Sequence, residues 1–296
     1  MKREKRRIAI TGARGLVGAC LAQFLAADHD VDALSHTDLD ITDRDAVHSW
    51  CLRNRPDLIV NCATLQVDAC ELDPQLAETV NVSGPQNLAL AAAEFGAEVM
   101  HFSTNYVFDG EPEGRRPYTI EDETRPINVY GRTKLDGERA VTKATPSSYV
   151  VRTAWVYGLG KESFLASVPR KLLARERVLA IVDAFSTTTY VRDLVVRAAE
   201  IIERGRYGTY HVVNEGVCSY YEFAMQAARL MDLDEAIIGE LIVPVKESEM
   251  KRPAPRPRWT PLRCLLSEEI GLAPLRDWRE ALACYISTDL EKRRER

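Results

Sequence analysis

Tyr130 and Lys134 stand four residues apart in Asn128-Val129-Tyr130-Gly131-Arg132-Thr133-Lys134, and Ser103-Thr104-Asn105 lies upstream. On a helix this spacing brings both side chains to one face, one turn apart. An ammonium beside a phenol favours phenolate, so the tyrosine can exchange a proton near neutral pH. The Thr104 hydroxyl adds a second hydrogen bond to the same substrate oxygen. These groups together equip a site to reduce a carbonyl with hydride and a proton, or to run the reverse. Tyr-x-x-x-Lys alone is common by chance and then describes only a solvated helix face, so the residues around it decide.

The elements that must position these groups begin at the N-terminus. Ile8-Ala9-Ile10-Thr11 suits a buried strand and runs straight into Gly12-Ala13-Arg14-Gly15-Leu16-Val17-Gly18, followed by helix-like Ala19–Leu25. Strand, glycine turn and helix are the context of a dinucleotide fingerprint. The glycines permit a tight turn, and the helix N-terminus offers free N–H groups to a pyrophosphate. The spacing is Gly-x-x-Gly-x-x-Gly, not the commoner Gly-x-Gly-x-x-Gly.

At 296 residues the chain can bury a substantial core. A net charge of −5 gives no basic footprint for nucleic acid. The basic ends, Lys2–Arg7 and Lys292–Arg294, read as solvated tails. No apolar run reaches membrane-span length and no signal-peptide pattern opens the chain, so no membrane association is expected. Seven cysteines without a Cys-x-x-Cys pair fit reduced thiols in a cytoplasmic protein better than disulfides or zinc, and no metal is expected.

Strand-like Val31–Leu34, Leu58–Asn61, Glu98–Phe102 and Tyr149–Arg152 alternate with helix-like Asp43–Arg53, Pro74–Phe95 (with a break near Gly84-Pro85) and the Tyr130 segment. The alternation predicts an α/β fold, a doubly wound parallel sheet of Rossmann type. A smaller mixed α/β C-terminal part is expected to bind substrate. The boundary falls between 1–157 and 158–296, with about 180–205 returning to the first unit. Ser163–Arg175, Tyr220–Met231 and Leu275–Ile286 read as helices and Thr209–Val213 as a strand. Arg252-Pro253-Ala254-Pro255-Arg256-Pro257-Arg258 must be extended, either presenting guanidinium groups to phosphate or acting as a solvated linker.

Together these residues resemble the extended short-chain dehydrogenase/reductase superfamily, and within it the dTDP-4-dehydrorhamnose reductase family. The likeness rests on Thr11–Gly18, Arg55–Asn61, Val67–Glu71, Ser103–Gly110, Asn128–Glu138, Arg152–Gly158, Asp183–Leu194 and Arg252–Pro257, nearly the whole chain. It implies a catalytic trio of Thr104, Tyr130 and Lys134, reducing a dTDP-linked keto-deoxysugar at C4 with NADPH or NADH. It places Asn105, Tyr106 and Trp155 near the sugar, and Arg252 and Arg256 near the diphosphate. Gly12, Arg14, Gly15, Leu16, Val17 and Gly18 would hold the cofactor. Asp40 and Ile41 would flank its adenine, and Cys62, Ala63 and Thr64 would line the ribose and nicotinamide path beside Tyr130 and Lys134. NAD enzymes usually carry an acid after the second strand. Here Ser35 and His36 stand there, no carboxylate repels a 2′-phosphate, and Arg14 can contact it, so NADP(H) is expected over NAD(H). A homodimer is a family-level expectation.

Three blocks depart from the family pattern. Asn105 replaces an acid, Asp183–Tyr190 lacks the usual Gln, Gly and Pro, and Trp259-Thr260 replaces Asn-Ser. All three fall where the substrate side should be, which points to an altered keto-sugar; drift on surface loops is the competing explanation. A second class of function is a regulatory, NADP-binding subunit like the methionine adenosyltransferase β subunit, which the intact trio argues against. A dehydratase or epimerase would usually want an Asp-Glu pair that Thr104-Asn105-Tyr106 does not offer.

Overall fold

Short apolar runs, buried on both faces, build the middle of the central sheet, as parallel strands covered by helices require, while the edge strand at 30–34 is largely exposed. The computed structural model describes residues 5–160 and 163–290. Strands β1 (Arg7–Thr11), β2 (Asp30–Leu34), β3 (Leu58–Asn61), β4 (Glu98–Thr104) and β5 (Ser148–Thr153) follow one another through the first half. Between them lie helices α1 (Leu16–Leu25), α2 (Arg44–Asn54), α3 (Val67–Leu72), α4 (Pro74–Glu78), α5 (Gly84–Phe95) and α6 (Val129–Ala144). Short strands β6 (Val156–Tyr157), β7 (Val178–Ile181), β8 (Phe185–Ser186) and β9 (Thr189–Tyr190), with α7 (Phe164–Leu173) and α8 (Val191–Arg204), lead to β10 (Gly208–His211). Then come β11 (Cys218–Ser219), α9 (Tyr220–Leu230), α10 (Glu235–Leu241), β12 (Ile242–Val245), α11 (Leu265–Glu269) and α12 (Trp278–Cys284).

The six-stranded sheet has the order β10-β5-β4-β3-β1-β2, and every neighbouring pair is parallel. The chain leaves β1 for β2 on one side and returns for β3 on the other. This reversal is the switch point at which open α/β sheets bind ligands, and the loops after β1 and β3 flank it. Alternation along β1 feeds both faces. Ile8 and Ile10 pack with Leu21, Leu194 and Ile201 from α1 and α8, whereas Ala9 packs with Val47, Leu88 and Val141 from α2, α5 and α6. A separate cluster joins α7, α9 and α12 around Tyr157, Phe223 and Trp278.

Several sequence expectations change in detail. The break expected near Gly84 is a π-helical turn, Thr79–Ser83, that joins α4 to α5 without interrupting the backbone path. Pro85 sits in the first turn of α5, where its missing N–H is harmless. The C-terminal helix starts later than expected, at Trp278, because Asp277 caps it by accepting from the Arg279 N–H. Helix α3 and the parallel pair β7/β12 were not anticipated. Lys5, Arg6 and Arg7 are not a free tail; they pair with Asp30, Glu98 and Asp57. The other basic residues of the two ends, Lys2, Arg3 and Lys292–Arg294, lie outside the described residues. No helix among the described residues is long and apolar enough to cross a membrane.

One buried ion pair ties α6 to the sheet. Arg152 on β5 donates to both Glu138 oxygens, and the side chains are only 8% and 6% exposed. The Ser103 hydroxyl also donates to Glu138, and Arg152 lies over the Phe108 ring. Removing one partner of such a pair strands a buried charge and costs about 3–5 kcal/mol. Arg152→Met should lose that much in urea unfolding; a loss below about 1 kcal/mol would show the pair to be nearly neutral for stability.

Candidate active site

The glycine turn after β1 must pass very close to the loop after β3. Gly12 adopts φ +68°, and a Cβ there would lie 2.6 Å from Ala63 N. Only glycine meets both conditions. Gly18 packs in the same way, its hypothetical Cβ 2.5 Å from the Gly12 carbonyl oxygen. The turn opens onto a cleft of about 1770 Å³. Among its lining residues are Gly12, Arg14, Gly15, Leu16, Ser35, His36, Asp40, Ile41, Cys62, Ala63 and Thr64, which the sequence had singled out. Val17 instead packs on the sheet core, and Gly18 holds the turn against α1 without lining the cleft. Leu159, Gly160, Val191 and Arg192 also line it and were missed, because they come from beyond β5.

A carboxylate does stand after β2: Asp38 accepts from the Ser35 N–H at 2.8 Å and from its hydroxyl at 2.5 Å. The Ser35 bonds hold its pKa below the usual carboxylate range. Asp38 is not among the residues lining the cleft, whereas the exposed Arg14 and His36 are, and the Arg14 charge also acts on Asp38.

Helix α6 carries Tyr130 and Lys134 and docks unusually closely on the end of β4. A Cβ on Gly131 would come within 2.0 Å of the Tyr106 carbonyl oxygen, and one on Gly137 within 2.2 Å of the Asn81 carbonyl oxygen. Glycine inside a helix costs about 1 kcal/mol relative to alanine, and this contact explains why both are there. Asn128 caps the helix through Gly131 N–H at 2.7 Å and donates to the Pro255 carbonyl at 2.8 Å. Asn81, buried in the π-helical turn, donates to Thr133 on α6 and accepts from the Thr64 hydroxyl and the Leu65 N–H. Such turns recur at functional sites, but nothing in the local sequence marks this one.

The docking brings Thr104, Tyr130 and Thr64 together. Burial pushes the Tyr130 phenol up to about 12, opposed by its hydrogen bonds with the Thr104 and Thr64 hydroxyls. Tyr106 packs edge-on against Tyr130, with ring centroids 5.9 Å apart. The lysine differs from expectation. Lys134 Nζ donates to the Phe102 carbonyl at 2.7 Å and lies 3.3 Å from His101 Nε2. Burial lowers it to about 8. The depressed phenol pKa that the four-residue spacing predicted is therefore absent from this arrangement. Both groups are desolvated, and β4 draws the lysine nitrogen to its own backbone.

On the other side of Thr104, the three departures from the family pattern meet at one point. Asn105 donates to Thr260 Oγ1 at 2.7 Å and to Ser186 Oγ at 3.2 Å, and accepts from the Thr104 hydroxyl. All three residues are buried. An amide brings donors where a carboxylate has none, and these hydroxyls accept them. Asn105, Ser186 and Thr260, one from each departing block, thus share one internal network, while half-exposed Trp259 donates to the Arg116 carbonyl. The proline-rich segment is also docked. Arg256 forms a two-pronged pair with Asp68 at 2.8 Å, Ala254 N–H donates to the same carboxylate, and Arg252 pairs with Glu247. The two arginines are therefore already matched by carboxylates, although Arg252 Nε is buried with no hydrogen-bond partner. Trp155 has a left-handed backbone, φ +41°, and stacks on Tyr220 with centroids 3.8 Å apart. The Arg252 and Arg256 charges also act on the phenol of half-buried Tyr220, which stands in α9.

A parallel sheet with a glycine turn at its switch point, and a Thr-Tyr-Lys set at the adjoining strand end, define a dinucleotide-binding oxidoreductase of the short-chain type. The family described as the RmlD substrate binding domain matches residues 6–290. A dTDP-4-dehydrorhamnose reductase of Mycolicibacterium smegmatis is 44% identical over 93% of this chain and 84% of its own length. A probable dTDP-4,6-dihydroxy-2-methyloxan-3-one 4-ketoreductase of Streptomyces antibioticus is 37% identical over 92% of each. The solved dTDP-4-dehydrorhamnose reductase of Bacillus anthracis, in complex with NADP, superposes with a TM-score of 0.89 at 31% identity, covering 96% of this chain and 99% of its own. The chain belongs to the dTDP-4-dehydrorhamnose reductase family.

Gly131→Ala tests the docking. The added methyl must push α6 off β4, which should cost about 1–3 kcal/mol in stability. Shifting a catalytic side chain by about 1 Å should also cost on the order of 100-fold in turnover. A variant with wild-type turnover and melting temperature would show the contact to be slack.

Proposed function

We propose that this chain is an NADPH-dependent reductase of the 4-keto group of a dTDP-linked 6-deoxyhexose. The observation that carries the reading is Tyr130 held beside the Thr104 and Thr64 hydroxyls at the carboxyl end of β4, next to the cleft. The cleft fits a dinucleotide: the glycine turn permits close backbone approach, α1 presents its N-terminus, and Arg14 and His36 stand exposed beside Ser35. NADPH, when bound, supplies the hydride. Thr104 turns its one hydroxyl proton from the Asn105 oxygen to the substrate oxygen, and Tyr130 gives that oxygen a proton. A phenol as weakly acidic as this one is fully protonated at neutral pH and so ready to donate. Once nucleotide and substrate fill the site, a charged Lys134 is the proposed partner of the phenolate that remains.

The substrate side supports a nucleotide diphosphate sugar. Arg252 offers a buried donor without a partner, and Arg256 lies near the Tyr106 and Tyr220 phenols. Asn105 is consumed by Ser186 and Thr260, so it acts on the sugar by positioning Thr104 and the 183–190 and 252–260 segments. The fully paired network favours retained chemistry over a lost site.

Tyr130→Phe removes the proton donor and should lower kcat/KM for NADPH oxidation with dTDP-4-dehydrorhamnose by about 10²–10⁴-fold. NADPH affinity should stay within a few-fold. Unchanged turnover would remove Tyr130 from the mechanism. A wild-type chain that binds NADPH yet is inert on a panel of dTDP-keto-sugars would be a binding subunit instead.

Arg14→Ala tests cofactor choice. Losing one charge-assisted contact to a 2′-phosphate should weaken NADPH by about 10-fold while leaving NADH nearly unchanged. Equal weakening of both nucleotides in titration would place Arg14 elsewhere on the cofactor.

A further inference from the structure

A buried chain of hydrogen bonds runs from the loop after β3 to the catalytic lysine, and its polarity can be read one atom at a time. Ala63 N–H can only donate, so the Asn61 atom 3.1 Å from it is the carbonyl oxygen. The Thr11 hydroxyl donates to the same oxygen at 2.7 Å. The Asn61 amide nitrogen therefore faces His101 Nδ1, at 3.1 Å. An amide nitrogen does not accept, so Nδ1 must. The one proton of a neutral imidazole then sits on Nε2, and Nε2 faces Lys134 Nζ at 3.3 Å. Asn61, His101 and Lys134 are all buried, so water cannot resolve a mismatch.

An ammonium has three N–H donors and no lone pair, so it meets the imidazole N–H donor to donor. An amine accepts that N–H and still donates to the Phe102 carbonyl at 2.7 Å, with one N–H to spare. We propose that His101, locked by Asn61 as the Nε2–H tautomer, is a positioning residue that favours the uncharged form of Lys134 and so sets the pH at which the catalytic lysine loses its charge.

The other groups around the lysine do not oppose this strongly. Cys62, after β3, and Cys70, on α3, are both pushed up by burial and stay as thiols. Glu138, one turn along α6, attracts the charge, but Arg152 and Ser103 already satisfy its oxygens. On β4 itself, burial and the neighbouring lysine keep His101 far below the usual imidazole range, hence neutral. Where a charged Lys134 assists Tyr130, activity is present below the lysine's pKa and is lost as pH rises through about 8.

The link to activity rests on the reductase reading; the tautomer does not. With five histidines in the chain, ¹⁵N-histidine labelling resolves them, and the His101→Leu spectrum identifies the signal that is lost. The expected result is an unprotonated Nδ1 and a protonated Nε2 for His101 from neutral pH upward. A protonated Nδ1 overturns the proposal, whatever Tyr130→Phe does to turnover. In kinetics, His101→Leu removes the opposing donor and should move the alkaline limb of kcat/KM up by about one pH unit. Should that variant fold poorly, Asn61→Asp serves: its carboxylate accepts from Nδ1–H, bares Nε2 to the ammonium, and should move the limb the same way. A limb that stays at its wild-type pH in a folded variant contradicts the proposal.

Discussion

The contact between α6 and the end of β4 is the constraint on which the site depends. Gly131 lets the helix backbone reach the Tyr106 carbonyl, and Lys134 donates across the same seam to Phe102. That seam sets where Tyr130 stands relative to Thr104. A larger residue at 131 would open the seam, and no rotation of the tyrosine side chain would restore the alignment, because its backbone would have moved. The helix cap makes the same join from the other end, since Asn128 holds both the first turn of α6 and the Pro255 carbonyl.

Around this seam the polar groups are buried and paired, which makes the region rigid and costly to alter piecemeal. Asn105, Ser186 and Thr260 form one such set, and Asn61, His101 and Lys134 another. Changing one member of either set leaves a desolvated donor or acceptor, which costs about 1–3 kcal/mol. The amide at 105 is met by hydroxyls at 186 and 260 that accept its two N–H groups. The departures that looked like an altered sugar pocket are also a solved packing problem behind Thr104.

Local chemistry was legible in the sequence; long-range pairing was not. The β-branched run before Gly12, the three glycines and the Tyr-x-x-x-Lys spacing each express a short-range requirement, so they pointed to the sheet, the turn and the trio. The Lys134 assignment shows the limit. Spacing places its side chain on the face of Tyr130 but cannot foresee that the Phe102 carbonyl takes its nitrogen. Asp38 was overlooked because its role depends on a turn that returns it to Ser35. Tyr220 and Asp68 reach the site through contacts distant in sequence, the stack on Trp155 and the pair with Arg256, and no periodicity records that.

The central claim is that the seam presents a proton donor to a sugar carbonyl while the cleft beside it holds a hydride donor. Isotope transfer tests it most directly. The protein is incubated with dTDP-4-dehydrorhamnose and NADPH carrying deuterium on one face or the other of the nicotinamide C4. The account predicts that deuterium from one face, and not the other, appears at C4 of the product sugar. Nucleotide oxidation with no deuterium in the sugar, or a sugar left unreduced at saturating nucleotide, would contradict it.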